Sequence, residues 1–171
     1  ASRVVYTQAY HDSCNRVTHK DGYLFKGWWL DENFAAGTQV VFGTTTCINF
    51  NSHVLYAKWE PDTITVKYNV NGGSGVEDSR AAYSELYADS CNRSTQKNGY
   101  LFKGWWLTEN FAAGTQVVFG TTTCDSIHTH YFYAKWDPDT ITVTYQTNDG
   151  SDVAASRVVY TQAYHDSCNR V

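Results

Sequence analysis

Polar and apolar residues alternate along Thr63-Ile64-Thr65-Val66-Lys67-Tyr68, placing Ile64, Val66 and Tyr68 on one face. A period of two predicts a half-buried strand, and residues 140–145 repeat it. The run stops at Asn71-Gly72-Gly73 and, in the second case, at Asn148-Asp149-Gly150, residue types that accept positive φ and close a turn. Ser79-Arg80-Ala81-Ala82-Tyr83 and Ser2-Arg3-Val4-Val5-Tyr6 then predict a second strand that returns antiparallel. Residues 7–21 show no such period and leave two readings open, a short helix around Gln8 to Cys14 or an irregular connection.

The densest apolar stretch is Gly22-Tyr23-Leu24-Phe25-Lys26-Gly27-Trp28-Trp29-Leu30, which predicts a central strand. Glycine inside a strand pattern marks a bulge or a close backbone approach, and a bulge at Gly27 lets Phe25 and Trp28 face one core. Residues 31–37 read as a short helical turn or loop ending at Gly37, and 38–42 as a brief extended piece. Leu55-Tyr56-Ala57-Lys58-Trp59 is another alternating strand, with Leu55, Ala57 and Trp59 inward. The two prolines follow such strands, in Glu60-Pro61-Asp62 and Asp137-Pro138-Asp139.

These patterns recur with a fixed interval. Cys14, Cys91 and Cys168 stand 77 apart, as do Trp59 and Trp136, and Pro61 and Pro138; residues 1–77 and 78–154 agree at 52 of 77 positions without a gap. Residues 155–171 repeat 1–17 letter for letter, whereas the middle copy spells the same stretch differently, so two alternating modules make a super-repeat. A period of this size directs attention from a single active site to an array. With boundaries at the prolines, 1–61 is expected to be a repeat lacking its first strand, 62–138 a complete repeat, and 139–171 the opening strands of another. The re-spelled end predicts a window of a longer periodic polymer, a continuous polypeptide in preference to separate chains meeting head to tail.

Thirteen tyrosines, an aromatic content of 16%, twelve glycines and no methionine describe strand-and-turn chemistry. A net charge of −4 spread along the chain offers no basic stripe for nucleic acid. No apolar run approaches the roughly 18 residues of a membrane span, so no membrane insertion is expected of this segment. Each repeat carries two cysteines 33 apart, Cys14 with Cys47 and Cys91 with Cys124, without zinc-type spacing. One disulfide per repeat, and hence an oxidising, extracellular compartment, is the economical reading; buried thiols are the other.

The order of strand and Asn-Gly-Gly, then Gly-Tyr-Leu-Phe-Lys-Gly-Trp at 99–105, then Tyr-Ala-Lys-Trp at 133–136 before an acidic-proline junction, resembles the internalin-type B repeat, or Listeria–Bacteroides repeat. The flanking copies match through 22–29 with 56–59 and through 141–150. The resemblance implies an α+β, predominantly β chain of small β-grasp-like modules with short helical or irregular crossings, arrayed in exported cell-surface proteins. The longer 7–21 region and the paired cysteines depart from the family's usual pattern.

Several residues invite a chemical reading. The tandem indoles Trp28-Trp29 and Trp105-Trp106 point to opposite strand faces unless the bulge intervenes, making one of each pair a candidate for packing against the next repeat or for stacking on a glycan or protein ligand. Lys26 and Lys58 read as solvated positions on outer strand faces. His128-Thr129-His130 has chelating geometry on a strand, yet its counterpart Asn51-Ser52-His53 has a single imidazole. Asn148-Asp149-Gly150-Ser151-Asp152 looks like a calcium loop, but its counterpart, 71–75, has no carboxylate, so a turn is expected and no cofactor or metal. Asn92-Arg93-Ser94 is a formal glycosylation sequon. Ser13-Cys14 and Ser90-Cys91 have no histidine in both copies, since His11 becomes Ala88, and no phosphate-cradling loop is present, so no enzyme is expected. The leading expectation is a structural module of a stalk or fibre whose partners are neighbouring copies of the same repeat; the alternative is an adhesin.

Overall fold

A computed structural model of the chain describes residues 7–48, 52, 54–148 and 150–161. Its strands are β1 (Tyr23–Trp29), β2 (Tyr56–Pro61), β3 (Thr63–Asn69), β4 (Ser79–Ala82), β5 (Tyr100–Trp106), β6 (His130–Pro138), β7 (Thr140–Val143) and β8 (Ser156–Val159). The expected predominance of β structure holds. The region read either as a short helix or as an irregular connection forms a 3-10 turn, Asp12–Cys14, repeated at Asp89–Cys91.

β1 pairs antiparallel with β2, β7 antiparallel with β8, and a four-stranded sheet has the order β4-β3-β6-β5. Within it β3 and β6 are parallel, with Val66 opposite His130 and Asn69 opposite Tyr133. The alternation in β3 has the expected effect, since Ile64 and Val66 are buried and their neighbours are less so. The bulge expected at Gly27 is present: register slips between Phe25 and Gly27, and again between Phe102 and Gly104. Those glycines take φ of 118° and 114°, open to a residue without Cβ. The extra residue turns Phe25 and Trp28 to one side, with ring centroids 5.3 Å apart, and Phe102 and Trp105 likewise at 5.2 Å.

The chain divides into two compact units, one of Ala1–Ile64, Ala82–Glu85 and Cys124–Ile127, the other of Thr65–Ala81, Leu86–Thr123 and His128–Val171. In the first, Tyr10, Val40 and Cys47 form a small core under Trp28, Phe42 and Leu55. In the second, Val66, Tyr87, Cys91, Trp105 and Phe132 are wholly buried. Tyr68 meets Trp105 at 4.8 Å and Phe132 at 5.7 Å, edge to face, and Tyr87 meets Phe132 at 4.9 Å. A fully buried aromatic side chain removes roughly 200 Å² from water, on the order of 5 kcal/mol of transfer free energy before entropy is set against it, so this cluster is a large contributor to the unit's cohesion.

The polar tips within the aromatic core are satisfied. Tyr68 donates its hydroxyl to the Cys91 carbonyl at 2.7 Å and lies 2.5 Å from Ser79 Oγ; Tyr145 repeats the arrangement with Ser156 at 2.9 Å. Trp105 Nε1 donates to Arg93 O, Trp28 Nε1 to Arg16 O, and Trp136 Nε1 to Val70 O. These bonds tie irregular connections to the strands, because an unpartnered buried N–H would cost free energy.

Candidate functional site

The acidic-proline corners organise a polar geometry that recurs in both units. In the first unit Asp62 N donates to Gly22 O at 2.9 Å, while Asp62 O accepts from Tyr83 N at 2.8 Å. The second unit repeats it at 2.9 and 2.7 Å with Asp139, Gly99 and Tyr160. Each carboxylate turns back onto the next backbone N–H, Asp62 onto Thr63 and Asp139 onto Thr140, both at 2.7 Å, fixing where β3 and β7 begin.

The tyrosine delivered to each corner packs on another. Tyr83 meets Tyr23 with centroids 5.4 Å apart and planes at 88°, and Tyr160 meets Tyr100 at 5.5 Å and 81°. Edge-on geometry sets the positive rim of one ring against the negative face of the other. The ammonium groups of Lys20 and Lys97 sit over Tyr23 and Tyr100 at 3.8 and 4.4 Å. Gly22 and Gly99, at φ 76° and 78°, lie beneath the incoming rings. The residue after each such tyrosine is also left-handed, with φ of 65° at Ser84 and 67° at Thr161. Sequence reasoning passed over these tyrosines. Their signal was available: where Val158-Val159 becomes Ala81-Ala82, the following tyrosine stays.

Beside the second corner, Gln96, Lys97, Asn98, Tyr100 and Tyr160 line an open cleft of about 540 Å³ with the turn at Gly72-Gly73-Ser74. Lys97 Nζ is already engaged by Asn71 O at 3.1 Å.

Cys14, Cys47, Cys91 and Cys124 are present as thiols, and no disulfide joins described residues. Cys168 lies outside the described residues. Cys47 is buried beside Tyr10, whose hydroxyl is pushed up to about 12 by burial, then by the Cys47 and Cys14 thiols. Burial similarly raises Tyr68, against the lowering effect of its bond to Ser79.

Of the tandem tryptophans Trp28 is half-buried and packs against the core of Tyr10, Val40 and Cys47. Trp105 is wholly buried, and Trp29 and Trp106 are each only 8% exposed, so the latter pair presents no open ring to solvent. The cause is a turn that folds back over the strand: Phe34 and Phe111, at φ 57° and 54°, cover Trp29 and Trp106 at 5.8 and 5.9 Å. Lys58 and Lys135 lie over the same indoles, at 5.3 and 5.0 Å. Lys58 is thus a half-buried packing residue, while Lys26 pairs with Glu60 at 3.3 Å on the surface.

His130 does not pair with His128 in a chelate; its Nδ1 is 2.5 Å from Tyr87 Oη. Among the described residues no three His, Cys, Asp or Glu side chains gather as a metal site. His53 and Asp149 lie outside the described residues. Asn148 takes φ 46°, matching Asn71 at 47°, as a turn requires. Asn92 is exposed at the end of its 3-10 turn.

The sequence pattern of the Listeria-Bacteroides repeat domain matches residues 2–58 and 65–135. Two proteins of Evansella cellulosilytica are similar to the chain. One, provisionally named a Gly-rich membrane protein, is 35% identical over 79% of this chain and 14% of its own length. Another, provisionally named a membrane protein, is 30% identical over 85% of this chain and 20% of its own. The chain therefore spans no more than a fifth of these relatives. No helix among the described residues is long and apolar enough to cross a membrane.

Proposed function

The chain belongs to the Listeria–Bacteroides repeat family, and from that premise we propose that it is a structural repeat segment of an extracellular, cell-surface stalk or fibre. Repeats are bounded at Pro61 and Pro138, and residues 62–138 make one complete unit. The four-stranded sheet is its β-grasp-like core. The observation that carries this reading is the corner in which one backbone residue, Asp62 or Asp139, bonds at once to Gly22 or Gly99 before it and to Tyr83 or Tyr160 after it, 77 residues apart each time. A recurring backbone corner at each proposed boundary supports a junction built into the repeat. The partners are further copies of the same repeat, the chemistry is non-enzymatic, and in an oxidising compartment Cys14 pairs with Cys47 and Cys91 with Cys124. The membrane-protein names of the two relatives support a surface location.

Electron microscopy of the native material tests the assembly, a thin continuous thread being the expected form. Boiling in detergent and reductant then separates two ways of building it. Material too large to enter a gel supports one continuous polypeptide; collapse to a band near 19.3 kDa refutes it.

Of the four tryptophans that could carry an adhesin role, Trp29, Trp105 and Trp106 are covered and Trp28 is half-buried. The adhesin reading keeps the cleft of Gln96, Lys97, Asn98, Tyr100 and Tyr160, whose amides and rings suit a neutral glycan. Glycan-array binding that Tyr160→Ala abolishes would favour it over a purely structural role.

A further inference from the structure

We propose that the paired tyrosines Tyr23–Tyr83 and Tyr100–Tyr160 are sites of oxidative dityrosine cross-linking, covalent staples that lock each repeat to its successor. The inference rests on the repeat boundaries at Pro61 and Pro138 adopted above. With those boundaries each pair joins a ring from one repeat to a ring from the next.

Placement sets these pairs apart. Among the described residues, tyrosine meets tyrosine only at these corners, with centroids 5.4 and 5.5 Å apart. In the core, tyrosine meets tryptophan, phenylalanine or histidine instead. At such separations an edge-on pair brings ring carbons into van der Waals contact, and coupling requires the ring that presents its face to turn its ortho edge toward the partner as the two close together.

The hydroxyls differ as well. Those of Tyr68, Tyr87 and Tyr145 are hydrogen-bonded in the fold. None of the four corner hydroxyls bonds to a described residue, so the fold does not engage them in hydrogen bonds as it does those of the core. The four rings are partly accessible, Tyr160 at 37%, whereas Tyr87 is sealed. Both repeat spellings, Ala-Ala-Tyr-Ser and Val-Val-Tyr-Thr, keep the residue.

The chemistry balances with hydrogen peroxide acting through a haem peroxidase as the oxidant. Each phenol gives up one electron and one proton to become a phenoxyl radical. The two radicals join through a new carbon–carbon bond between ring positions ortho to oxygen, and the hydrogens on those carbons shift to the phenoxyl oxygens, restoring both phenols. Two C–H bonds are lost overall, and one peroxide is reduced to two waters.

The test oxidises the full chain, dilute enough to remain monomeric, with a haem peroxidase and peroxide, followed by dityrosine fluorescence and peptide mapping. The expected products are monomers that gain dityrosine fluorescence, lose two hydrogens per link, and yield linked peptides joining Tyr23 to Tyr83 and Tyr100 to Tyr160. The Tyr83→Phe/Tyr160→Phe double variant should keep its far-ultraviolet circular dichroism and tryptophan emission maximum and lose at least nine-tenths of the intramolecular signal. Should that variant misfold, Tyr23→Phe/Tyr100→Phe asks the same question from the other ring. Monomers without dityrosine overturn the proposal. So does a signal that persists in the variants, as would arise from Tyr131, which is 46% exposed and makes no ring contact among the described residues. Either negative result leaves the fibre reading standing, and a thread seen by microscopy does not rescue the staples.

Discussion

A Cβ built on Gly22 would lie 2.3 Å from Cδ1 of Tyr83, and one on Gly99 would lie 2.4 Å from Cδ1 of Tyr160. Real side chains do not approach so closely, and the left-handed φ at both glycines adds strain for any other residue. Gly22→Ala or Gly99→Ala must expel the tyrosine ring as well as adopt a disfavoured backbone. The expected loss is about 2–4 kcal/mol, read from urea denaturation. A loss within a few tenths of that for Gly37→Ala, where nothing lies within 4 Å and only φ is strained, would show that the ring contact contributes nothing.

Ser84 offers a change of the opposite sign. Its φ of 65° is costly for a residue with a Cβ, and its N–H bonds to Cys124 O at 2.7 Å, which glycine also supplies. Ser84→Gly relieves roughly 1–2 kcal/mol of left-handed strain and loses part of that to the freer unfolded chain, for a net gain of about 0.5–1 kcal/mol. Thermal denaturation that moved downward would contradict this account of the corner.

The strands, turns and bulge were legible because each depends on residues within a few positions: alternation in β3, Asn-Gly at its end, a lone glycine inside β1. The parallel pairing of β3 with β6 was not, since strands some sixty residues apart carry no local mark of their partner. The cover over Trp29 and Trp106 was not legible for a similar reason. Alternation says which face Trp106 occupies, but not that Phe111 folds back over that face. Likewise the period of 77 located Tyr83 and Tyr160 as repeat equivalents, while their contacts with Tyr23 and Tyr100 arise from a backbone corner that no spacing announces.

Phe111 holds a strained conformation to cover Trp106, and two substitutions separate strain from cover. Phe111→Gly relieves the backbone and uncovers the indole; Phe111→Ala uncovers it and keeps the strain. Both should red-shift tryptophan emission, with alanine costing about 1–2 kcal/mol more than glycine. Equal losses would mean that the positive φ is carried without strain.

The cysteine pairing is open to direct measurement. Under a glutathione couple, peptide mapping should link Cys14 to Cys47 and Cys91 to Cys124. Closing loops of about 33 residues would add roughly 3–4 kcal/mol each if the native geometry accommodates the bond. Linkage of Cys47 to Cys91 would instead make the bridges staples between repeats and defeat the assignment.

Tyr10 gives a pH signature that reports on the same thiols. Its folded value of about 12 lies above the ordinary 10.0, so the native state favours the neutral phenol. That preference is fully present below about pH 10, where both states are protonated. Between about pH 10 and 12 the unfolded chain ionises while the folded one does not, so stability falls as pH rises through that window. Tyr68 is raised as well and contributes in the same direction, so the wild-type decline is shared. The difference between wild type and Tyr10→Phe, in urea midpoints taken between about pH 9 and 11, isolates Tyr10. Burial is the leading cause of the shift and the Cys47 thiol the next, by its negative charge and hydrogen bond. Cys47→Ser, whose hydroxyl does not ionise, should therefore flatten part of the slope, and oxidation of Cys47 into a bridge should do the same. If Tyr10→Phe declines as steeply as wild type, Tyr10 is not the source of the alkaline sensitivity; if Cys47→Ser leaves the slope unchanged, burial and Cys14 set it without Cys47.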